Sequence, residues 1–135
     1  MTVTPSGRSE GDASRRPLAV AWKKYIQEAI KLDPTNYDYY LDLGDYFRNQ
    51  GKYADAIDDY RKALKHAPED EGLWHNLALC YIHQKRYDDA IGVLDTIVRI
   101  VPSYVAALNM RAQVHIQKED TLAALDDLEA SLRIN

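Results

Sequence analysis

The side chains best suited to acid–base chemistry or metal binding are four histidines, and their spacing gives them no common site. His75 and His83 stand eight residues apart, so on one helix they share a face but lie about 12 Å apart along its axis. One metal ion needs ligands about 2 Å away, so the two cannot share it. We expect no metal-binding or catalytic role for this pair, or for His66 and His115.

Three acidic pairs and a single cysteine are the other groups that could carry out chemistry. The pairs Asp58–Asp59, Asp88–Asp89 and Asp126–Asp127 recur along the chain, and we interpret them as one solvated helix face. Cys80 lies between two apolar residues, which is typical of a buried packing thiol. The chain has no G-x-S-x-G elbow, glycine-rich phosphate loop or H-E-x-x-H pair. We therefore predict no enzyme, no catalytic residue and no cofactor.

Composition excludes several classes of protein. Of 135 residues, 46% are hydrophobic and 28% charged, as in ordinary globular chains. The 17 Lys and Arg against 21 Asp and Glu give a net charge of −4 without a basic cluster, which argues against binding nucleic acid phosphates. No segment approaches the roughly 20 apolar residues that cross a membrane, and no apolar stretch marks a secretory signal. We expect a cytoplasmic protein that neither binds nucleic acid nor inserts into membranes.

The strongest pattern is a repeat of 34 residues, the interval between Pro34, Pro68 and Pro102. Proline ends helices, and apolar residues between the prolines recur at steps of three and four, as expected of helix faces. Each interval holds two such helices, which cannot bury their faces without neighbouring units. The matching columns are Tyr40, Leu43, Gly44, Phe47, Ala56, Tyr60 and Ala63; then Trp74, Leu77, Ala78, Tyr81, Ala90, Leu94 and Ile97; then Leu108, Ala112, His115, Ala124, Leu128 and Ser131.

Short breaks separate the predicted helices. Gly51 can take the left-handed conformation that ends a helix. Lys85 and Glu119 stand at the same place in the later units, so we expect those turns to be less regular. The predicted caps at the starts of the following helices are Asn36, Asp70 and Ser103.

At these columns the chain resembles the tetratricopeptide repeat (TPR) family, whose repeat has 34 residues. The resemblance covers residues 17–135 and implies an all-α fold, a right-handed α-solenoid of about seven helix-turn-helix elements. The expected organisation is a disordered leader over 1–16, an N-terminal capping helix over 17–36, and TPR units over 37–70, 71–104 and 105–135. The family pattern is most complete at Tyr40, Leu43, Gly44, Phe47, Gly51, Tyr53, Ala56, Tyr60, Ala63 and Pro68.

The resemblance also implies a binding surface. In this family a concave groove is lined by the exposed side of the first helix of each unit. Here that side has an acidic rim and an apolar, histidine-bearing middle, which suits a protein partner: a peptide or helix with apolar anchors and some basic charge. The expected groove residues are Asp38, Leu41, Asp45, Arg48, His75, Leu79, Ile82, His83, Asn109, Gln113 and Ile116.

One subset of the family grips the acidic tails of heat-shock chaperones with a ring of Lys, Asn and Arg. The corresponding residues here include Asn76, which fits, and Asp45, which would repel a carboxylate. We therefore predict an adaptor or scaffold that does not use a carboxylate clamp. The five positions are Leu41, Asp45, Asn76, Ala106 and Met110.

The two ends of the predicted array differ from its middle. Trp22 stands where other units have alanine, and we suggest that it fills the space of a missing helix. Leu125 and Leu132 lie on the last helix, which no further unit in this sequence would cover. The alternative prediction is therefore a structural subunit, or a self-associating protein, that docks through this end.

Overall fold

The computed structural model describes residues 21–134, so the expected leader and the start of the predicted capping helix lie outside it. Within this range the chain is all α. From α2 onward each helix packs on the next one, which builds the predicted α-solenoid. The helices are α1 (21–32), α2 (Tyr37–Asn49), α3 (Tyr53–His66), α4 (Glu71–His83), α5 (Tyr87–Ile100), α6 (Val105–Gln117) and α7 (Thr121–Ile134).

The turns inside the three helix pairs share one backbone conformation. Gly51 has a φ of 76°, and Lys85 and Glu119 have φ values of 58° and 63°. In each turn the N–H of the following residue bonds the carbonyl five residues before it, at 2.8–2.9 Å, which satisfies the end of the helix. The expectation of less regular later turns is therefore wrong. Packing of the helix pairs holds even residues with a Cβ in this left-handed conformation.

Two of the three predicted caps are confirmed. Asn36 and Asp70 each accept hydrogen bonds from backbone N–H groups in the first turn of the helix that follows. Ser103 does not, because α6 begins at Val105 and the residue at its cap is Tyr104, whose side chain makes no capping bond. Ser103 therefore lies one residue too early to reach the free N–H groups.

The core runs without interruption through the first two helix pairs. Tyr60 is fully buried, and a Cβ on Gly44 would lie 2.7 Å from its ring, so glycine lets α2 approach α3 closely. Cys80 is also fully buried, and burial raises the pKa of its thiol to about 11. A reactive thiolate is thus disfavoured at neutral pH, consistent with the predicted packing role.

The third helix pair has an ionic core where the first two are apolar. Arg111 stands 34 residues after Leu77, and its guanidinium bonds both carboxylate oxygens of Asp127 in α7, at 2.6 and 2.9 Å. It also bonds Asp95 in α5, at 2.8 Å. The hydrogen bond to Asp127 is the main cause that raises the pKa of Arg111. One guanidinium therefore connects α5, α6 and α7.

The interpretation of the acidic pairs as a solvated face is wrong for two of their members. Asp59 and Asp127 are only 6% and 5% exposed, whereas the remaining members of the three pairs are exposed. Both buried carboxylates stand at the repeat position that Val93 occupies in the second unit. Their side chains therefore point into the helix packing and not into solvent.

Candidate partner-binding groove

The exposed sides of α2, α4 and α6 form the surface that we call the groove. Arg48 in α2 donates a hydrogen bond to Asn76 in α4 at 3.4 Å, so these two helices are neighbours along it. The predicted groove residues divide into two groups by exposure. Asp38, His83, Asn109, Gln113 and Ile116 are exposed, whereas Leu41, Asp45, Arg48, His75, Leu79 and Ile82 are half-buried.

The first part of the groove contains a polar network that is already satisfied within the chain. Asp45 accepts a hydrogen bond from the hydroxyl of Tyr60 and lies 3.6 Å from the guanidinium of Arg48. Burial, followed by this hydrogen bond, raises the pKa of Tyr60. Because the charges of Asp45 and Arg48 offset each other, these two predicted groove residues hold α2, α3 and α4 together as well as lining the surface.

An acidic rim remains beside this network. Asp38 and Asp42 are exposed on α2 and are four residues apart, on one face of the helix. Partial burial, then the charges of Asp45 and Asp38, raise the pKa of Asp42. Like charges so arranged would be stabilised by a cation from a partner. The acidic rim therefore favours basic side chains at this end of the groove.

The two histidines in the middle of the groove have different surroundings. His75 is half-buried against Tyr104, with ring centroids 6.2 Å apart. Burial, then the nearby charge of Arg48, lowers the pKa of His75 and favours its neutral form. His83 is exposed, and its ring stacks on Tyr53 at 4.7 Å with an interplanar angle of 2°. His83 therefore presents a fixed flat ring to the groove, whereas His75 forms part of the wall.

The last part of the groove contains a depression of about 400 Å³. Apolar side chains form much of it, and Ile116 is 54% exposed. The amides of Gln113 and Gln117 lie in the same lining and can both donate and accept hydrogen bonds. Such a site can take an apolar side chain while bonding the backbone that carries it. Its lining is Ile82, Tyr87, Gln113, Val114, Ile116 and Gln117.

Tyr87 is the member of this depression that is hardest to predict. It opens α5, the second helix of its pair, and an expectation based on first helices alone leaves it out. Its position directly after the turn is the available signal, since Tyr53 stands at the same place one repeat earlier and stacks on His83.

The remaining features concern metal ions, membranes and the last helix. Within residues 21–134 no three His, Cys, Asp or Glu side chains are placed to hold a metal ion. No helix in the same range combines the length and apolar character needed to cross a bilayer. On α7, Leu125 and Leu132 are 48% and 75% exposed. This apolar surface is separate from the groove.

Helix pairs with a 34-residue period and an open groove define a class, the α-solenoid repeat proteins. Within that class, the chain belongs to the tetratricopeptide repeat family. The family model described as tetratricopeptide repeat matches residues 23–71 and 41–105. Members of this family mediate protein–protein interactions.

Individual relatives agree with this assignment. The chain is 30% identical over 128 residues to a DnaJ homolog subfamily C member 7 homolog of Schizosaccharomyces pombe, covering 82% of this chain. A tetratricopeptide repeat protein from Parabacteroides merdae has the same fold, with a TM-score of 0.80 at 24% identity over 95% of this chain and 51% of that one. The first TPR of Spaghetti (RPAP3), solved with the HSP90 peptide SRMEEVD, has a TM-score of 0.68 at 26% identity and covers 76% of this chain and 82% of that one.

The curated relatives are much longer than the matched region. This chain spans 27% of the length of the Schizosaccharomyces pombe relative and 12% of a U-box domain-containing protein of Oryza sativa. What these proteins share with the chain is therefore the TPR region.

Proposed function

We propose that this chain is an adaptor or scaffold module that binds a peptide segment or helix of another protein in the groove. The observation that supports the proposal most directly is the depression beside Ile116. An apolar side chain that is more than half exposed on a concave surface gains by being covered. The amides of Gln113 and Gln117 beside it add the polar contacts that orient a peptide backbone.

The two ends of the groove suggest the chemistry of the ligand. An apolar side chain would fill the depression between α4 and α6. A lysine or arginine elsewhere in the same segment would lie near Asp38 and Asp42 on α2. The flat ring of His83 lies on α4, between these helices in chain order, and can pack against aliphatic or aromatic groups. The preferred ligand is thus amphipathic and basic at one end.

The same rim disfavours acidic chaperone tails. The related TPR of Spaghetti shows that an array of similar size binds a short peptide. Its peptide, SRMEEVD, carries several carboxylates, and here Asp38 and Asp42 would repel them. We therefore place this chain among TPR modules with a different ligand chemistry.

The test is selection of peptides from a random phage-displayed library, followed by affinity measurements on the selected sequences. The groove variant is Ile116→Asp, which places a charge beside the depression. The matched control is Leu132→Asp, an equally conservative change at an exposed leucine of α7. We expect selected peptides to share an apolar anchor and a basic residue. Their Kd should rise at least about tenfold for the groove variant, about 1.4 kcal/mol, and remain unchanged for the control.

Two results would count against the groove. One is a set of selected peptides that bind the Ile116→Asp variant as tightly as the wild type. The other is loss of binding with Leu132→Asp alone. Circular dichroism of both variants establishes that each is folded before affinities are compared.

The exposed face of α7 supports a second candidate function, a structural subunit that docks through this helix. Leu125 and Leu132 correspond by the repeat to Ile57 and Leu64 in α3, which are 4% and 6% exposed. In α3 the next helix, α4, packs on the preceding pair, whereas no described helix follows α7. If a second copy covers this face, sedimentation velocity should show concentration-dependent dimers. Leu125→Glu with Leu132→Glu should then abolish them.

A further inference from the structure

A second cleft lies between α1 and α3, outside the groove, and has a volume of about 510 Å³. Its floor is apolar and includes Leu43 and Phe47 of α2. Asp59 lines the cleft although it is only 6% exposed. No residue within 21–134 donates a hydrogen bond to its carboxylate or forms an ion pair with it. A buried carboxylate without a partner is a costly arrangement, which suggests that a ligand belongs there.

The electrostatic surroundings of Asp59 point to a cation. Burial raises the pKa of Asp59 to about 6; Lys62 and Lys23 act in the opposite direction, and the charges of Asp58 and Asp55 add to the increase. The acidic side chains in the lining outnumber the basic ones, since Glu28, Asp55, Asp58 and Asp59 face Lys31 and Lys62. The cleft therefore has excess negative charge in a partly apolar setting, where a charge-assisted hydrogen bond is strong.

The chain itself shows what a carboxylate at this position can bind. Asp127 stands two repeats after Asp59 and accepts two hydrogen bonds from Arg111. The residue of the first repeat that corresponds to Arg111 is Leu43, so α2 cannot supply the same group. By this internal comparison, the missing partner of Asp59 is a guanidinium.

Arginines that could supply it stand just before α1. Arg15 and Arg16 precede residue 21 by five or six positions, a span of up to about 20 Å of extended chain. Lys23, near the start of the described part of α1, already influences Asp59 electrostatically. A tethered group of this kind has an effective concentration in the millimolar range. We propose that the Arg15–Arg16 segment docks in the cleft between α1 and α3, with one guanidinium on the carboxylate of Asp59.

The test is a double-mutant cycle on the full chain. Its variants are Asp59→Asn, Arg15→Gln with Arg16→Gln, and all three together, each unfolded with urea. We expect the arginine changes to raise the unfolding equilibrium constant about tenfold when Asp59 is present and to have almost no effect alongside Asp59→Asn. Arg99→Gln with Arg133→Gln, which removes the same charge from exposed sites on α5 and α7, should act equally in both backgrounds.

A second readout is independent of folding stability. The carboxyl carbon resonance of Asp59 reports its titration, and its midpoint should move to higher pH when Arg15 and Arg16 are replaced. An unmoved midpoint, or equal effects of the arginine changes in both backgrounds, would overturn the proposal. The cleft would then be open to a cation from a partner protein, and Asp59→Asn would weaken binding of that partner without any contribution from Arg15 or Arg16.

Discussion

The second and third helix pairs have the same backbone frame but different chemistry in their cores. Their turns have φ values of 58° and 63° at corresponding residues, and their helices have matching lengths. In the second pair the contact between the helices is apolar, whereas in the third a buried carboxylate bonds a guanidinium beside a histidine 3.8 Å away. The corresponding residues are Leu77, Tyr81 and Val93 in one pair and Arg111, His115 and Asp127 in the other.

This difference shows that repeat geometry tolerates two kinds of core with different failure modes. An apolar contact loses stability gradually as atoms are removed. A buried ion pair depends on both partners, because removing one leaves an unpaired charge in the interior. Since Arg111 also bonds Asp95, the third pair is attached to the second by the same group that holds it together. The last repeat should therefore be the more sensitive one to single substitutions.

The largest effect should come from Arg111→Met. The substitution keeps an apolar stem of similar length but leaves the buried Asp127 without its two hydrogen bonds. We expect the free energy of unfolding to fall by about 3–5 kcal/mol. Urea unfolding followed by circular dichroism measures the change. The matched substitution Leu77→Met in the second repeat should lower stability by less than about 1.5 kcal/mol, and equal losses would contradict the comparison.

The second prediction concerns pH and contrasts Asp59 with the paired Asp127. The pKa of Asp59 is about 6 in the folded chain against 3.8 as the reference value. Between these values the folded state binds more protons than the unfolded state, so stability falls as pH rises from about 4 to about 6. In the variant with Arg15→Gln and Arg16→Gln, where no arginine could bind in the cleft, this fall should reach about 1–3 kcal/mol.

The control for this prediction is the same variant with Asp59→Asn added. It should lose that part of the pH dependence while the rest of the curve is retained. Thermal or urea unfolding at intervals of half a pH unit resolves the difference. A curve that keeps its slope after the substitution would show that another group titrates in this range.

Much of the fold follows from sequence, whereas the ionic core does not. The 34-residue spacing of the prolines and the apolar columns predict the solenoid, because every unit supplies the same evidence. Arg111 breaks its column, and the sequence offers no sign that its partner is Asp127, sixteen residues further on. An acidic pair next to a helix face is normally solvated, so the burial of Asp59 and Asp127 depends on packing that only the structure shows. Tyr87 in the groove depression is a similar case.

A third prediction exchanges one kind of core for the other. Arg111→Leu, His115→Tyr and Asp127→Val together copy the second repeat into the third. Replacing a buried ion pair by apolar residues is often neutral or stabilising. We expect the triple variant to unfold within about 2 kcal/mol of the wild type, well above Arg111→Met alone. A triple variant as unstable as the single one would show that the two frames differ in shape and not only in side-chain chemistry.

The smallest effect concerns the turns, where the second and third repeats agree and the first differs. Lys85 and Glu119 hold the left-handed conformation that Gly51 adopts in the first repeat. Lys85→Gly or Glu119→Gly removes Cβ strain of about 1–2 kcal/mol, while the added freedom of the unfolded chain offsets about 0.5–1 kcal/mol. We expect each substitution to stabilise the chain by a few tenths of a kcal/mol up to about 1 kcal/mol. Equal gains at both sites would show that the turn is insensitive to the core beneath it. A larger gain at Glu119 would indicate that the ionic core fits the shared turn less well than the apolar one does.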